Sequence, residues 1–436
     1  MLRFIGILIV GILTSFYYFP IEFTFLPGVN TKMALAGFGL VVLFFQLARK
    51  RAPRIDNSVF KLSIIALAVS FWGFASVAYN ETYDYTYATY IVSMWVWLGG
   101  AYVVVTTMKA VHKYISVDLV CNYLIAVCTA QCISALLIDS IPAFKTFVDS
   151  YVSGFGFVDT NQMIEGGRLY GIGAGLDVAG LRFSAVLCAI AYITSKFVNT
   201  PQRKLIWLYL TCFIFIGLVG CIIARTTTVG ILLGIVYWIV VWLKGTSEVK
   251  CNMYYLWKWI FAIITIALII IIPLYNIDMN FRSNVRFAFE GFFSLAEKGE
   301  WDVHSNNILK NMYIFPDNLK TWVIGDGFFD NPGYIDPYYV GKIYLGYYMN
   351  TDVGYLRFIF YFGILGLMTF IYYFIALTKC CMKKFSNQQY LFLFFLLVNL
   401  IGWFKVATDV FLVFALFLCI SKEENDVAEE RLEVKV

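Results

Sequence analysis

Five arginines stand beside or inside long apolar runs, where a permanent cation is costly. They are Arg168 in "GGRLYGIGAGLDVAGLRFS", Arg225 in "CIIARTTTVGILLG", Arg282 and Arg286 in "FRSNVRFAFEGFF", and Arg357 in "TDVGYLRFIFYFGILG". A guanidinium is a planar fork that matches phosphate oxygens. Arg168 and Arg225 each precede a run long enough to be a helix, and the amino end of a helix adds partial positive charge and N–H groups at the same spot. Thr226–Thr228 can cap the run that follows Arg225, and the glycines after Arg168 let backbone approach an anion closely. "GIGAG" follows no predicted strand, so it is not read as a dinucleotide fingerprint. Plainer readings stand beside these: Arg225 as a snorkelling hairpin residue, Arg168 in a surface turn, and Arg282 and Arg286 on a solvated helix face paired with Glu290.

Groups able to move protons are few. His304 in "DVHSNN" and His112 are the two histidines; a histidine titrates near neutrality and can take a proton from a hydroxyl. Asp326 occupies a Gly-Asp-Gly turn, and Asp352, just before an apolar run, reads first as an N-cap. Asp177 and Arg182 fall within a run, where an ion pair or a contact facing other helices is expected. The 30 tyrosines suit either an interfacial belt or stacking on sugar rings.

Composition explains what must position these residues. Hydrophobic residues make up 61% of the 436 positions and charged residues 14%, which excludes an ordinary soluble domain and implies an all-α polytopic membrane protein. The net charge of +5 therefore concerns placement about a bilayer, and nucleic acid is not implied. A span takes about 20 apolar residues, and the runs divide into about 12 transmembrane helices: 4–19, 32–48, 62–78, 91–108, 118–138, 176–194, 205–223, 228–243, 259–274, 353–377, 391–404 and 407–420. The last two are short. The first lacks a small-residue cleavage pattern and reads as a retained helix.

Basic residues set the orientation. Arg49, Lys50, Arg51, Arg54 and Lys61 follow the second run, and Lys109, Lys113, Lys196, Arg203, Lys204, Lys244, Lys250, Lys258, Lys379, Lys383 and Lys384 fall on the same side. The positive-inside rule makes that side cytoplasmic, with both termini inside. The organisation is then helices one to five (1–138), a first long outer loop (139–175), helices six to nine (176–274), a large outer loop (275–352), helices ten to twelve (353–420) and a cytoplasmic tail (421–436). The large loop has enough tryptophan, tyrosine and proline for a small folded cap. Seven of the ten cysteines lie in apolar runs and Cys251, Cys380 and Cys381 in inner loops, so neither a disulfide framework nor a metal site is suggested. No internal repeat and no inverted pair of halves is visible.

On this reading the arginines gather at one membrane face beside helix amino ends, a layout for holding a lipid-borne diphosphate whose tail stays in the bilayer. With "ARTTTVGILLG", the Arg/Gly-rich first outer loop, the long late loop and "VIGDGFF" followed by "TDVGYLRFIFYFGILG", the chain resembles the O-antigen polymerases, a family similar to the O-antigen ligases. The resemblance implies a GT-C-like glycosyltransferase of the inner membrane with its active site facing the periplasm. It would need no cofactor, metal or nucleotide sugar. It would transfer a growing glycan from undecaprenyl diphosphate to a new undecaprenyl diphosphate-linked repeat unit, commonly beside a polysaccharide chain-length regulator. The catalytic residues would be His304, Arg225 and Asp326, with Glu290 or Asp302 as substitutes for the base. Arg168, Arg225, Arg282, Arg286 and Arg357 would bind diphosphate, and Glu290, Trp301 and Asp352 would contact sugar. A ligase that moves the same donor to lipid A core, or a flippase or other transporter, is the alternative.

Overall fold

The computed structural model describes residues 2–48, 57–154, 168–198, 200–336, 338–344 and 346–433. A helix occupies each of the twelve expected stretches: α1 (Leu2–Tyr18), α2 (Thr31–Ala48), α3 (Asn57–Asn80), α4 (Tyr90–His112), α5 (Val117–Ser140), α7 (Leu176–Phe197), α8 (Ile206–Ile223), α9 (Thr227–Lys244), α10 (Ser247–Ile277), α16 (Gly354–Lys384), α17 (Gln389–Gly402) and α18 (Phe411–Leu418). Eight helices among the described residues are long and apolar enough to cross a membrane, and α1 and α2 are shorter apolar helices. The protein is an all-α membrane protein. Arg49, Lys50, Arg51 and Arg54, which carried the strongest part of the orientation argument, lie outside the described residues.

Helix α7 runs through the middle and is the most buried of the eight. Small residues let its neighbour approach: a Cβ on Gly230 of α9 would lie 2.3 Å from the Ser184 Cα of α7. Ser184 Oγ accepts the Gly230 N–H at 3.1 Å, so the close contact is also polar. Helix α10 is the opposite case. It has 31 residues, with Pro273 inside, and by the usual rise is about 46 Å long, whereas a hydrocarbon core is about 30 Å. None of its apolar span is buried, and it leads directly into the large loop.

The end of the bundle bearing the long connections is called the loop face. There α6 (Pro142–Tyr151) leads into β2 (Val152–Gly154), which pairs antiparallel with β1 (Glu22–Phe23). The large loop contains helices that the sequence pattern left undefined: α11 (Met279–Ala288), α12 (Glu290–Lys298), α13 (His304–Asn311), α14 (Leu319–Val323) and α15 (Pro332–Ile335). Asp278 starts α11 by accepting the N–H groups of Asn280 and Phe281, an N-cap that satisfies two otherwise orphaned donors.

Helix α16 is broken near its start at Phe362 and Gly363, where Gly363 has φ +70°. The break exposes carbonyls that a straight helix would use internally. The Gly325–Gly327 turn takes them: the Asp326 N–H donates to the Phe360 carbonyl at 2.6 Å and the Gly327 N–H to that of Tyr361 at 3.2 Å. Gly325 and Gly327 both have positive φ, a conformation that glycine adopts without a side-chain penalty. Ser76 Oγ of α3 donates to the same Tyr361 carbonyl at 2.6 Å. The stretch "VIGDGFF" is therefore a plug in a helix break.

Candidate functional site

Arg225 occupies the short turn between α8 and α9, and its side chain reaches across to the large loop. Its Nε donates to the Phe287 carbonyl at 3.1 Å and its Nη1 to Ser305 Oγ at 2.8 Å. Its Nη2 pairs with Glu290 Oε2 at 2.7 Å. The guanidinium also lies 4.1 Å from the Phe287 ring centroid, an arrangement in which cation and π face attract. Burial holds the Arg225 pKa below its ordinary value; Glu290 opposes that shift and Arg168 adds to it.

Arg168 converges on the same ring, 5.7 Å from its centroid. It is partly accessible, and its side chain donates no hydrogen bond to a described residue. The preceding glycines, Gly166 and Gly167, lie outside the described residues. Below it, Asp177 in the first turn of α7 pairs with Lys405 at 3.1 Å and accepts the Thr226 hydroxyl at 3.1 Å. Asp177 lies within electrostatic reach of Arg168 and Arg225.

The expectation that Thr226–Thr228 cap the following helix, leaving its amino end open to an anion, is corrected. Thr226 stands at the N-cap position but makes no side-chain cap, because its hydroxyl is turned to Asp177. The N–H groups of Thr227, Thr228 and Val229 donate to the carbonyls of Ala224, Arg225 and Thr226 in a tight first turn. Anion binding at this place has to rest on the side chains.

Asp352 is not an N-cap either: Val353 holds that position in α16, and no side chain caps it. The Asp352 carboxylate is half-buried and accepts no hydrogen bond from a described residue. Burial raises its pKa above the usual carboxylate range, and Arg357 and Lys405 oppose the shift. Asp177 also reaches it electrostatically. A carboxylate without a fixed partner, in a polar cluster, is suited to accept a proton.

The other expected site residues are engaged differently. Asp326 accepts Lys320 Nζ and the Thr321 hydroxyl, each at 2.7 Å, and the Tyr348 hydroxyl at 3.2 Å. These bonds brace the turn that plugs α16. Arg357 is buried, with its guanidinium between the rings of Phe329 and Tyr347 at 3.7 and 3.5 Å. It also pairs with Asp330 at 2.9 Å, which anchors the segment following the plug.

Arg286 pairs with Glu297 through both guanidinium ends, at 2.8 and 2.7 Å, rather than with Glu290. Arg282 lies over Tyr275 at 5.2 Å. Both arginines thus face the end of α10, away from the Arg225 contacts. His304 is exposed and opens α13, its N–H donating to Glu290 Oε1 at 3.1 Å; its ring makes no hydrogen bond to a described residue. Asp302 is held by Lys298 and Asn307. Trp301 is half-exposed and packs edge-on against Phe292.

Sequence reasoning missed Lys405 and Asp84. Lys405 lies in "NLIGWFKVATDVF", a single basic residue in the short connection between the last two apolar runs, which was the available signal. Asp84 accepts the N–H groups of Phe329 and Asp330 at 2.7 and 3.0 Å, and no local pattern announces that long-range role. Compared with known proteins, the chain has no match among protein-family models, curated proteins or solved structures.

Proposed function

We infer that this protein is a glycosyltransferase that polymerises undecaprenyl diphosphate-linked oligosaccharide repeat units into O-antigen or a related surface polysaccharide. The observation that carries this reading is the convergence of Arg168 and Arg225 on Phe287, near Asp177, Lys405 and Asp352, whose carboxylate has no hydrogen-bond partner among the described residues. Cations and that carboxylate then gather where helices α7, α9 and α16 begin. The reading takes the eight long helices, with the shorter α1, α2, α17 and α18 beside them, as the membrane domain of a GT-C-like enzyme in the bacterial inner membrane, with both termini cytoplasmic and the loop face in the periplasm.

In this mechanism Arg168 and the remaining N–H groups of Arg225 hold the diphosphate of the lipid bearing the growing chain. The acceptor hydroxyl, on the non-reducing end of a new lipid-linked unit, attacks the anomeric carbon. The new glycosidic C–O bond forms as the bond to diphosphate breaks, and the hydroxyl proton passes to the Asp352 carboxylate. Undecaprenyl diphosphate leaves with charge that the arginines stabilise more in the transition state than in the ground state. Among the carboxylates considered, Glu290, Asp302 and Asp326 are each held by fixed partners, which favours Asp352 as the base. Trp301 and the loop tyrosines are surfaces for sugar stacking.

The test is the surface glycan of a strain deleted for the gene and complemented with wild type, Arg168→Ala or Asp352→Asn, resolved by size. A single repeat unit on lipid core in the deletion, with the ladder restored by wild type and not by the variants at equal membrane levels, supports the polymerase. Bare core with polymer left on the carrier lipid identifies a ligase instead, and an unchanged ladder overturns both readings.

A further inference from the structure

A second pair of cations lies on another side of α7. Arg182 follows Asp177 by five residues, so the two side chains leave the helix about 140° apart. Arg182 turns towards α1 and α4: its guanidinium is 5.7 Å from the Phe19 ring centroid and 6.0 Å from that of Trp97. Lys32, at the start of α2, places its ammonium 4.6 Å from the centroid of the same Trp97 ring. Two like charges therefore share one indole and lie within electrostatic reach of each other.

Neither cation has a carboxylate within ion-pair distance among the described residues. Asp409 lies within electrostatic reach of both and also accepts the Phe411 N–H at 2.9 Å at the start of α18, so one carboxylate, in contact with neither, faces two cations. The Nε of Arg182 is buried and has no acceptor, while the residue as a whole remains partly accessible. A buried guanidinium N–H ordinarily finds a partner, and converging like charges are ordinarily stabilised by an anion between them.

Lys32 is at the loop-face end of α2, and Arg182 lies about 9 Å along α7 from its first residue. Lys32 lies on the face of α2 that carries the buried Leu35 and packs against α4, whereas the exposed Phe38, Leu40, Val41, Phe44 and Phe45 lie on the far side of that helix by its 100° spacing. The turn at residues 403–410 stands between the two cationic clusters, sending Lys405 to Asp177 and Asp409 towards Lys32 and Arg182.

We propose that Lys32 and Arg182, over the Trp97 ring, form a second site for a phosphate-bearing anion, occupied by the head of a lipid-borne diphosphate. The identity of the occupant rests on the polymerase reading, in which donor and acceptor each bring one such head. The two sites then hold the two lipids on either side of the 403–410 turn.

The experiment counts bound lipid by native mass spectrometry on the full chain in nanodiscs, with glycan-free undecaprenyl diphosphate as probe. Wild type is expected to bind two molecules. Lys32→Ala and Arg182→Gln each lose one, Arg182→Lys retains it, and Arg168→Ala loses the other. Because the Nε of Arg182 is buried, Lys32→Ala carries the test if Arg182→Gln fails to fold. Two bound lipids unaffected by either substitution overturn the second site and leave the polymerase reading standing, whereas no bound lipid in any form overturns both. Inorganic pyrophosphate that binds through Lys32 and excludes the lipid overturns the lipid assignment and makes the occupant a free anion.

Discussion

Arg225 Nη2 and Glu290 Oε2 lie 2.7 Å apart, joining the turn between α8 and α9 to the first part of the large loop. The pair is half-buried and shares the Phe287 carbonyl and Ser305 with the same guanidinium. Residues in one such network couple by about 0.5–3 kcal/mol. Arg225→Ala, Glu290→Gln and the double variant, measured by thermal melting of purified protein, are expected to show that coupling. Strict additivity would mean that the loop is held by other contacts.

Asp352 should govern the acid side of activity. Its carboxyl is raised by burial, and a base works only when ionised, so transfer should fall as pH drops through a midpoint above the ordinary aspartate value of about 3.9. Asp352→Asn should lose that limb together with about 10²–10⁴ in rate. A transfer assay on lipid-linked substrate across pH checks both, and an Asn variant with the wild-type profile would exclude the assignment.

Asp326 should behave as a brace. Its three side-chain bonds all go to the protein, so Asp326→Ala is expected to lower the melting temperature while activity per folded molecule stays close to wild type. Gly363→Ala should destabilise further. At φ +70° and ψ −175° the backbone lies in a region that is essentially glycine's alone and costs another residue about 1–3 kcal/mol, and the added Cβ would lie 2.1 Å from the Val323 carbonyl oxygen. If Asp326→Ala instead melts normally and is inactive, the residue acts in the chemistry.

Arginine at 357 and at 168 should fail in different ways. A lysine cannot stack between Phe329 and Tyr347 as a planar guanidinium does, so Arg357→Lys is expected to reduce thermal stability. Arg168→Lys should leave stability unchanged and weaken binding of undecaprenyl diphosphate. Melting curves and lipid binding on the same two samples separate the roles, and identical behaviour would refute the distinction.

The helices were legible because hydrophobic runs of bilayer length leave little choice of structure. The candidate site was legible only where a charge broke such a run: Arg168 and Arg225, each just before a helix, lie near one ring, that of Phe287. Spacing could not show that the guanidinium of Arg357 is enclosed by rings from a distant loop, nor that Arg286 faces Glu297. Those outcomes depend on tertiary contacts between segments of the large loop. Lys405 was visible as an anomaly of charge, but its partner Asp177 lies far away in sequence.

The break at Gly363 also changes how α16 must be read. Side chains on a continuous helix repeat every 3.6 residues, so a wheel drawn through Gly354–Lys384 would put residues on both sides of the break in one angular frame. The non-helical angles at Phe362 and Gly363 reset that phase. The first two turns, with Arg357 and Tyr361, keep time with the segments around Asp84 and Asp326, whereas the remainder follows the bundle. One covalent helix thus carries two rotational frames, and a straight helix laid over it residue by residue would match the wrong faces on one side of the break.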